Sequence, residues 1–135
     1  MTKMNLLEMN DTRYANRGQE AERRFRFTLT GEDLGADNVP ANEGCDIADI
    51  SIKSARASLC KGTDIIAHLA TDKANRFAYV TADFHTAYIM SKVEYIAFVL
   101  AFASVARESA KNGGAEKLRL GHETRKMREW FAERV

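Results

Sequence analysis

The chain has 135 residues, of which 45% are hydrophobic and 29% are charged, and its formal net charge is +1. This length accommodates one domain with a real hydrophobic core but not two, so we predict a single domain over residues 1–135. The balanced composition excludes a disordered or low-complexity chain. The near-neutral charge excludes a uniformly basic protein, so any nucleic-acid-binding surface must be local.

The first predicted element is a helix that begins with Asp11 as its N-cap and runs to about Leu29. On its helical wheel, Glu22 lies about 100° from Ala21, at the border of the buried stripe. Glu20 points away from that stripe and is predicted to face water. The stripe itself is spaced at three and four residues and consists of Tyr14, Gly18, Ala21, Phe25 and Leu29.

Basic residues cluster around this helix and again after the strand that follows it. Two acids, Glu20 and Glu22, interrupt the cluster, so a solvated helix face is the alternative to a binding surface. The cluster includes Arg13 and Arg26 together with five candidates for nucleic-acid contacts, Arg17, Arg23, Arg24, Arg56 and Lys61.

A polar loop from Gly31 to Glu43 follows the first helix and contains the single proline of the chain. Beyond this loop, alternating side chains predict a strand near Ile47–Lys53 and a partner strand around Ala57–Cys60. A short helix is then predicted from Thr63 or Asp64 to about Lys73.

The second half of the chain contains clearer local signals. Two strands, Phe77–Thr81 and Thr86–Met90, are predicted on either side of a four-residue turn. Ser91 and Glu94 form a capping box that begins a helix, apolar nearly all round, which runs to about Arg107.

After this helix, Asn112–Gly114 breaks the chain, and Lys117–Leu120 is predicted as a short edge strand. The last predicted element is an amphipathic helix over Glu123–Arg134, with its arginines outward. Its inward side chains are predicted to be Met127, Trp130 and Phe131. Taken together, the element order predicts an α/β (α+β) domain with a mixed central β-sheet flanked by helices.

The apolar runs, cysteines and histidines of the sequence indicate where the protein is located and whether it binds zinc. The longest apolar run, Tyr95–Ala103, is too short for a bilayer, which requires about 20 residues, so no membrane association is predicted. Cys45 and Cys60, with no signal peptide, predict free thiols in a reducing cytoplasm. The three histidines are scattered without a pair at ligand spacing, so a zinc site is not favoured.

The strand near Ile47–Lys53 carries the strongest candidate site. Ile50 and Ile52 alternate with Asp49, Ser51 and Lys53, so one face buries the isoleucines and the other presents polar groups in a row. Such a row is also the ordinary wet face of a half-buried strand, in which Lys53 extends into solvent.

Metal-dependent cleavage of a phosphodiester needs carboxylates that hold Mg²⁺ and a cation near the attacked phosphate. Glu22, Asp46 and Asp49 are the candidate metal ligands, and Lys53 is the candidate cation. Ser51 is a weak oxygen ligand or a hydroxyl that positions water.

These residues resemble the PD-(D/E)xK nuclease superfamily, which has the restriction-endonuclease-like fold. Arg17–Phe25 (RGQEAERRF) is similar to the glycine and glutamate segment of archaeal Holliday-junction resolvases. Cys45–Ser54 (CDIADISIKS) is similar to the short aspartate-to-lysine hairpin of mismatch-repair nicking endonucleases. The resemblance covers about the first 60 residues and implies a restriction-endonuclease-like domain that uses Mg²⁺ or Mn²⁺. It implies that Glu22 and Asp46 are metal ligands and that Lys53 faces the water or the phosphate.

One position departs from the family pattern. The family has Asp or Glu two residues before the lysine, whereas this chain has Ser51. Asp49 lies on the same face, about 7 Å along the strand, and could bring a carboxylate to a displaced metal ion. The alternative is that the metal site is lost.

Three functions therefore stay open. The first is a small metal-dependent DNA endonuclease or nickase, for which cutting both strands of a duplex would call for a homodimer. The second is a catalytically inactive protein of the same fold that binds DNA, RNA or a protein partner, such as an accessory factor or inhibitor from a mobile element or phage. The third is an unrelated structural α+β protein, in which Glu22 is remote from Lys53.

Overall fold

Seven strands and four α-helices lie within the ranges that the computed structural model describes, which are residues 1–9, 16–33 and 47–135. The resulting fold is α+β with mixed strand directions, as predicted. In chain order, the elements are β1 (Thr2–Asn5), α1 (Arg17–Thr30), β2 (Ile50–Ser54), β3 (Ser58–Lys61), α2 (Ile65–Ala70), β4 (Arg76–Val80), β5 (Thr86–Ser91), α3 (Lys92–Phe102), β6 (Ala103–Arg107), β7 (Glu116–Leu120) and α4 (Arg125–Ala132).

Four strands form the first sheet, in the order β1-β5-β4-β2. The β4–β5 hairpin is the predicted strand pair, and β1 adds to it as an antiparallel strand that was not predicted. Strand β2 runs parallel to β4, with Ser51 beside Phe77 and Lys53 beside Tyr79. The sheet is therefore mixed, and β2 lies at its edge within the described residues.

Three antiparallel strands form the second sheet, in the order β3-β7-β6. Two predictions are wrong here, because β3 pairs with β7 instead of β2, and β7 is the central strand instead of an edge strand. The long apolar helix is also shorter than predicted, since α3 ends at Phe102 and the chain continues as β6. Pairing of β6 with β7 outweighs the weak local preference of Ala103–Arg107 for a helix.

Two hydrophobic clusters pack on the two faces of the first sheet. Ile50 and Ile52 of β2 pack with Ala21 and Phe25 of α1 in one cluster. The other cluster joins β4 and β5 to α2, α3 and α4 and to both β3 and β7. The second sheet is thus attached to the first through this shared core, opposite α1.

Helix α1 begins later than predicted. Asn16 is its N-cap, and the Asn16 side chain accepts a hydrogen bond from the backbone N–H of Gln19. Gly31 ends the helix in the left-handed conformation at a φ of 73°. Asp11 and Tyr14, which were predicted to begin the helix, lie outside the described residues.

The predicted capping box at the start of α3 is confirmed. The Ser91 hydroxyl accepts a hydrogen bond from the backbone N–H of Glu94, and the Glu94 carboxylate accepts one from the N–H of Ser91. The hydrogen bond from the Ser91 N–H holds the pKa of Glu94 below its usual value. The amphipathic C-terminal helix is also confirmed as α4, with Met127 and Phe131 buried.

Replacing Ser91 with alanine is expected to lower the free energy of unfolding by about 1 kcal/mol, because the backbone N–H of Glu94 loses its acceptor, the Ser91 hydroxyl. Ser109 offers a matched control, since it precedes a short 3-10 turn and its side chain makes no capping hydrogen bond. Urea unfolding of Ser91→Ala and Ser109→Ala measures the difference. Equal losses in the two variants would contradict the capping role.

None of the helices in the described ranges is long and apolar enough to cross a membrane.

Candidate functional site

Alternation along β2 separates an apolar face from a polar face. Ile50 and Ile52 point to the face covered by α1. Ser51 and Lys53 point to the opposite face, where both line a cavity of about 550 Å³. Of the predicted polar row, Ser51 and Lys53 share this face, which opens into a recess between the two sheets, whereas Asp49 does not line that recess.

This recess, here called the lysine cavity, is defined by Lys53, Lys61, Lys73 and Lys117. Its walls come from β2, β3, β7 and α2, together with the segment that follows α2. Two carboxylates, Asp72 and Glu108, also line it. Four lysines against two acids make the cavity an attractive environment for an anion.

Two of the lysines lie directly opposite each other on paired strands. In the β3–β7 register, Lys61 lies opposite Lys117. Like charges in directly opposed positions destabilise a strand pair. Within the described part of the chain, Lys61, Lys73 and Lys117 form no ion pair that would offset this repulsion. An anionic ligand between Lys61 and Lys117 would relieve it.

The inner wall of the lysine cavity is less polar. Ser51, Leu59 and Cys60 line it and are all buried. Burial raises the pKa of the Cys60 thiol, and the positive charge of Lys53 acts in the opposite direction. The thiol is therefore protonated near neutral pH and serves as a wall group instead of a nucleophile.

A second basic recess lies on the other side of the β2–β3 connection. This arginine cavity, of about 350 Å³, is defined by Arg17, Arg56 and Arg119 at the N-terminus of α1. Arg17 donates a hydrogen bond to the carbonyl of Ala82 at 2.7 Å, and Arg119 donates one to the carbonyl of Arg56 at 3.1 Å. The bond to Arg56 fixes the Arg119 guanidinium at the recess, whereas the Arg17 guanidinium is held at the β4–β5 turn, over the Phe84 ring.

Arg23 and Arg24, also predicted as nucleic-acid contacts, have internal partners. Glu20 accepts hydrogen bonds from Arg23 Nη1 at 3.0 Å and from Arg24 Nε at 2.7 Å. Arg23 also pairs with Asp33. The prediction that Glu20 faces water is wrong, because its side chain is fully buried between these arginines.

Asp49 forms an ion pair with Arg76 outside the lysine cavity. Its carboxylate accepts hydrogen bonds from Nε and Nη2 of Arg76, the shortest at 2.7 Å. These hydrogen bonds hold the pKa of Asp49 below its usual value. The pair links the start of β2 to the start of β4, so the carboxylate is held away from Lys53.

The described side chains do not fit a Mg²⁺ site beside Lys53. Ser51 offers only a neutral hydroxyl, and the lysine-rich lining repels a divalent cation. Glu22 belongs to α1, on the opposite face of the sheet, and Asp46 lies outside the described residues. Among the residues described, no group of three or more His, Cys, Asp or Glu side chains could hold a metal ion.

The sequence predicted only some of the residues that line these two cavities. Lys53, Ser51 and Lys61 do share one cavity, and Arg17 and Arg56 share the other. Three further basic residues of the cavities were not predicted, Lys73, Lys117 and Arg119. Lys117 and Arg119 reach these cavities because β7 pairs with β3, and no local pattern in the sequence indicates that pairing.

Compared with protein-family models, with curated proteins and with solved structures, the chain shows no match. Its resemblance to the PD-(D/E)xK superfamily therefore stays a prediction based on the motif residues.

Proposed function

We propose that this protein binds a nucleic acid through its phosphates, in the two basic cavities beside β2. The observation that carries the proposal is the lysine cavity, in which Lys61 and Lys117 oppose each other next to Lys53. Lysine clusters neutralise the phosphates of nucleic acids, and this binding releases counterions.

A polymer fits the arrangement better than a single small anion. The connection between β2 and β3 lies between the cavities, with Lys53 and Ser58 lining one and Ser54–Ala57 lining the other. Successive phosphates of one strand can therefore contact lysines on one side and arginines on the other. Contacts of this kind give affinity and position without reading sequence.

Fluorescence anisotropy with labelled DNA and RNA, repeated over a series of salt concentrations, tests this proposal. We expect the logarithm of the affinity to fall steeply with the logarithm of salt concentration. Lys61→Gln and Lys117→Gln should each reduce the slope by about one. Lys126→Gln is the charge-matched control, since Lys126 is exposed on α4 and does not line either cavity. Absence of nucleic-acid binding at any salt concentration would favour a protein partner instead.

Metal-dependent endonuclease activity is the second candidate. It is favoured by one observation, that the motif positions Ser51 and Lys53 face the same cavity. Supercoiled plasmid, single-stranded DNA, branched DNA and RNA should be incubated with Mg²⁺ or Mn²⁺. Nicking that disappears in both Lys53→Ala and Asp46→Ala would establish this activity. No cleavage by folded protein at high concentration would leave a binding function alone.

Substitutions of Arg56 are expected to affect the stability of the protein and its affinity for nucleic acid differently. Its backbone has a φ of 67°, in the left-handed region that favours glycine. Arg56→Gly is therefore expected to raise the free energy of unfolding by about 1 kcal/mol while weakening nucleic-acid binding by a few fold. Arg56→Ala should weaken binding equally without the gain in stability. Unchanged affinity in both variants would remove Arg56 from the binding surface.

A further inference from the structure

We propose that the lysine cavity holds one unpaired nucleotide, so that the ligand is a single strand or a frayed strand end instead of an intact duplex. The inference rests on the proposed function and specifies its substrate class. Three features of the cavity carry it: its size, the distribution of charge between its rim and its wall, and an unsatisfied hydroxyl group behind the wall.

The first feature is size. A volume of about 550 Å³ lies within the range of roughly 300–1,000 Å³ typical of pockets that enclose a small molecule. A duplex keeps its bases stacked inside and presents a convex row of phosphates, so it could touch only the rim. A nucleotide that has left the stack can enter.

The second feature is the change from a charged rim to an apolar wall. Lys61 and Lys73 are exposed, whereas Leu59 and Cys60 are buried. The rim matches a phosphate, and Leu59 and Cys60 contribute only their edges to the uncharged interior that a base would enter. Proteins that bind single strands commonly combine a cationic track for the backbone with aromatic rings on which bases stack, and His68 supplies a ring in the lining of this cavity.

The third feature is the hydroxyl of Tyr95. The Tyr95 side chain is 1% exposed, and its hydroxyl has no hydrogen-bond partner within the described structure. The ring stacks on Phe77, with 4.0 Å between ring centroids, and Phe77 lies beside Ser51 of the cavity.

Burial raises the pKa of this hydroxyl, and so do Cys60 and Asp72, which both line the cavity. Tyr95 itself does not line the cavity, and its ring lies behind the lining residue Ser51 through the stack on Phe77. Buried hydroxyls are nearly always hydrogen-bonded, to protein groups or to ordered water, so we assign an ordered water beside the cavity lining as the partner of this one.

The test compares four ligands in one anisotropy experiment: a labelled single strand, a blunt duplex of the same sequence, the duplex with a single-stranded overhang, and labelled AMP. We expect the single strand to bind about tenfold more tightly than the blunt duplex or better, and the overhang to restore most of the difference. Equal affinities for single strand and blunt duplex would overturn the inference and leave the proposed function intact.

Two variants probe the cavity directly. Ser58→Trp fills part of the cavity from an exposed strand position that lines it, and should weaken single-strand binding more than duplex binding, so that the preference for single strands is lost. Tyr95→Phe should weaken single-strand binding several fold while leaving resistance to urea unchanged or higher, because an unpaired buried hydroxyl is removed. A single-strand preference that survives both variants would place the nucleotide elsewhere and overturn the inference.

The remaining outcomes separate the two proposals. Direct binding of labelled AMP without binding of any strand would support a nucleotide in the cavity and overturn the proposed function. No binding of any of the four ligands would overturn both.

Discussion

Lys53→Ala is expected to weaken nucleic-acid binding by about 10- to 100-fold, since a hydrogen bond to a charged group contributes about 1.5–3 kcal/mol. Lys53 is the lysine that β2 carries into the cavity, beside the buried Ser51 and close enough to Cys60 to affect its pKa. If the protein cleaves phosphodiesters, the same variant should also lose that activity.

Two controls make this result specific. Lys126→Ala removes an equal charge from an exposed site on α4, and should change affinity by less than about twofold at physiological salt, where distant exposed charges are screened. Thermal unfolding of Lys53→Ala shows whether the fold is retained. Affinity within twofold of the unmodified protein would rule out Lys53 as a phosphate contact and, with it, the lysine cavity as the binding site.

Glu20→Ala is expected to lower the free energy of unfolding by about 3–5 kcal/mol, the usual cost of removing one partner from a buried ion pair. Glu20 is fully buried and accepts hydrogen bonds from both Arg23 and Arg24. The Arg23 side chain is 8% exposed and pairs with both Glu20 and Asp33. Of these two carboxylates, only the more exposed one, Asp33, remains in Glu20→Ala.

Urea unfolding of Glu20→Ala against Glu22→Ala provides the comparison, because both changes shorten a glutamate on the same helix. Glu22 is only half-buried, and its replacement should cost less than about 1.5 kcal/mol. A larger loss for Glu22 than for Glu20 would contradict the buried network and restore the orientation predicted from the helical wheel.

Local chemistry made several elements predictable. The capping box needs only Ser91 and Glu94, three residues apart, so it can be recognised in the sequence alone. The β4–β5 hairpin and α4 likewise follow from short patterns of alternation and helical spacing. The polar face of β2 was also predicted correctly, because the period of two along a strand is a property of the backbone.

Other features depend on partners distant in the sequence. A helical wheel ranks the faces of a helix by their apolar content, so it predicts that Glu20 is exposed. It contains no information on the two arginines that pair with Glu20. Pairing of β3 with β7 brings Lys117 opposite Lys61, and this register is not encoded in either strand alone. Pairing of β6 with β7 turns the segment after Phe102 into a strand, and the pairing of β3 with β7 completes both basic cavities.

The pairing of β3 with β7 has a consequence for the order of folding. The β4–β5 hairpin closes within a few residues, whereas β3 must find a strand more than fifty positions further along the chain. Closing so large a loop is entropically slow, so the second sheet should form after the first. The lysine cavity takes one wall from each sheet and therefore does not exist until this late step is complete. A bound polyanion would bridge the two sheets and slow their separation, so ligand release and unfolding would be kinetically linked.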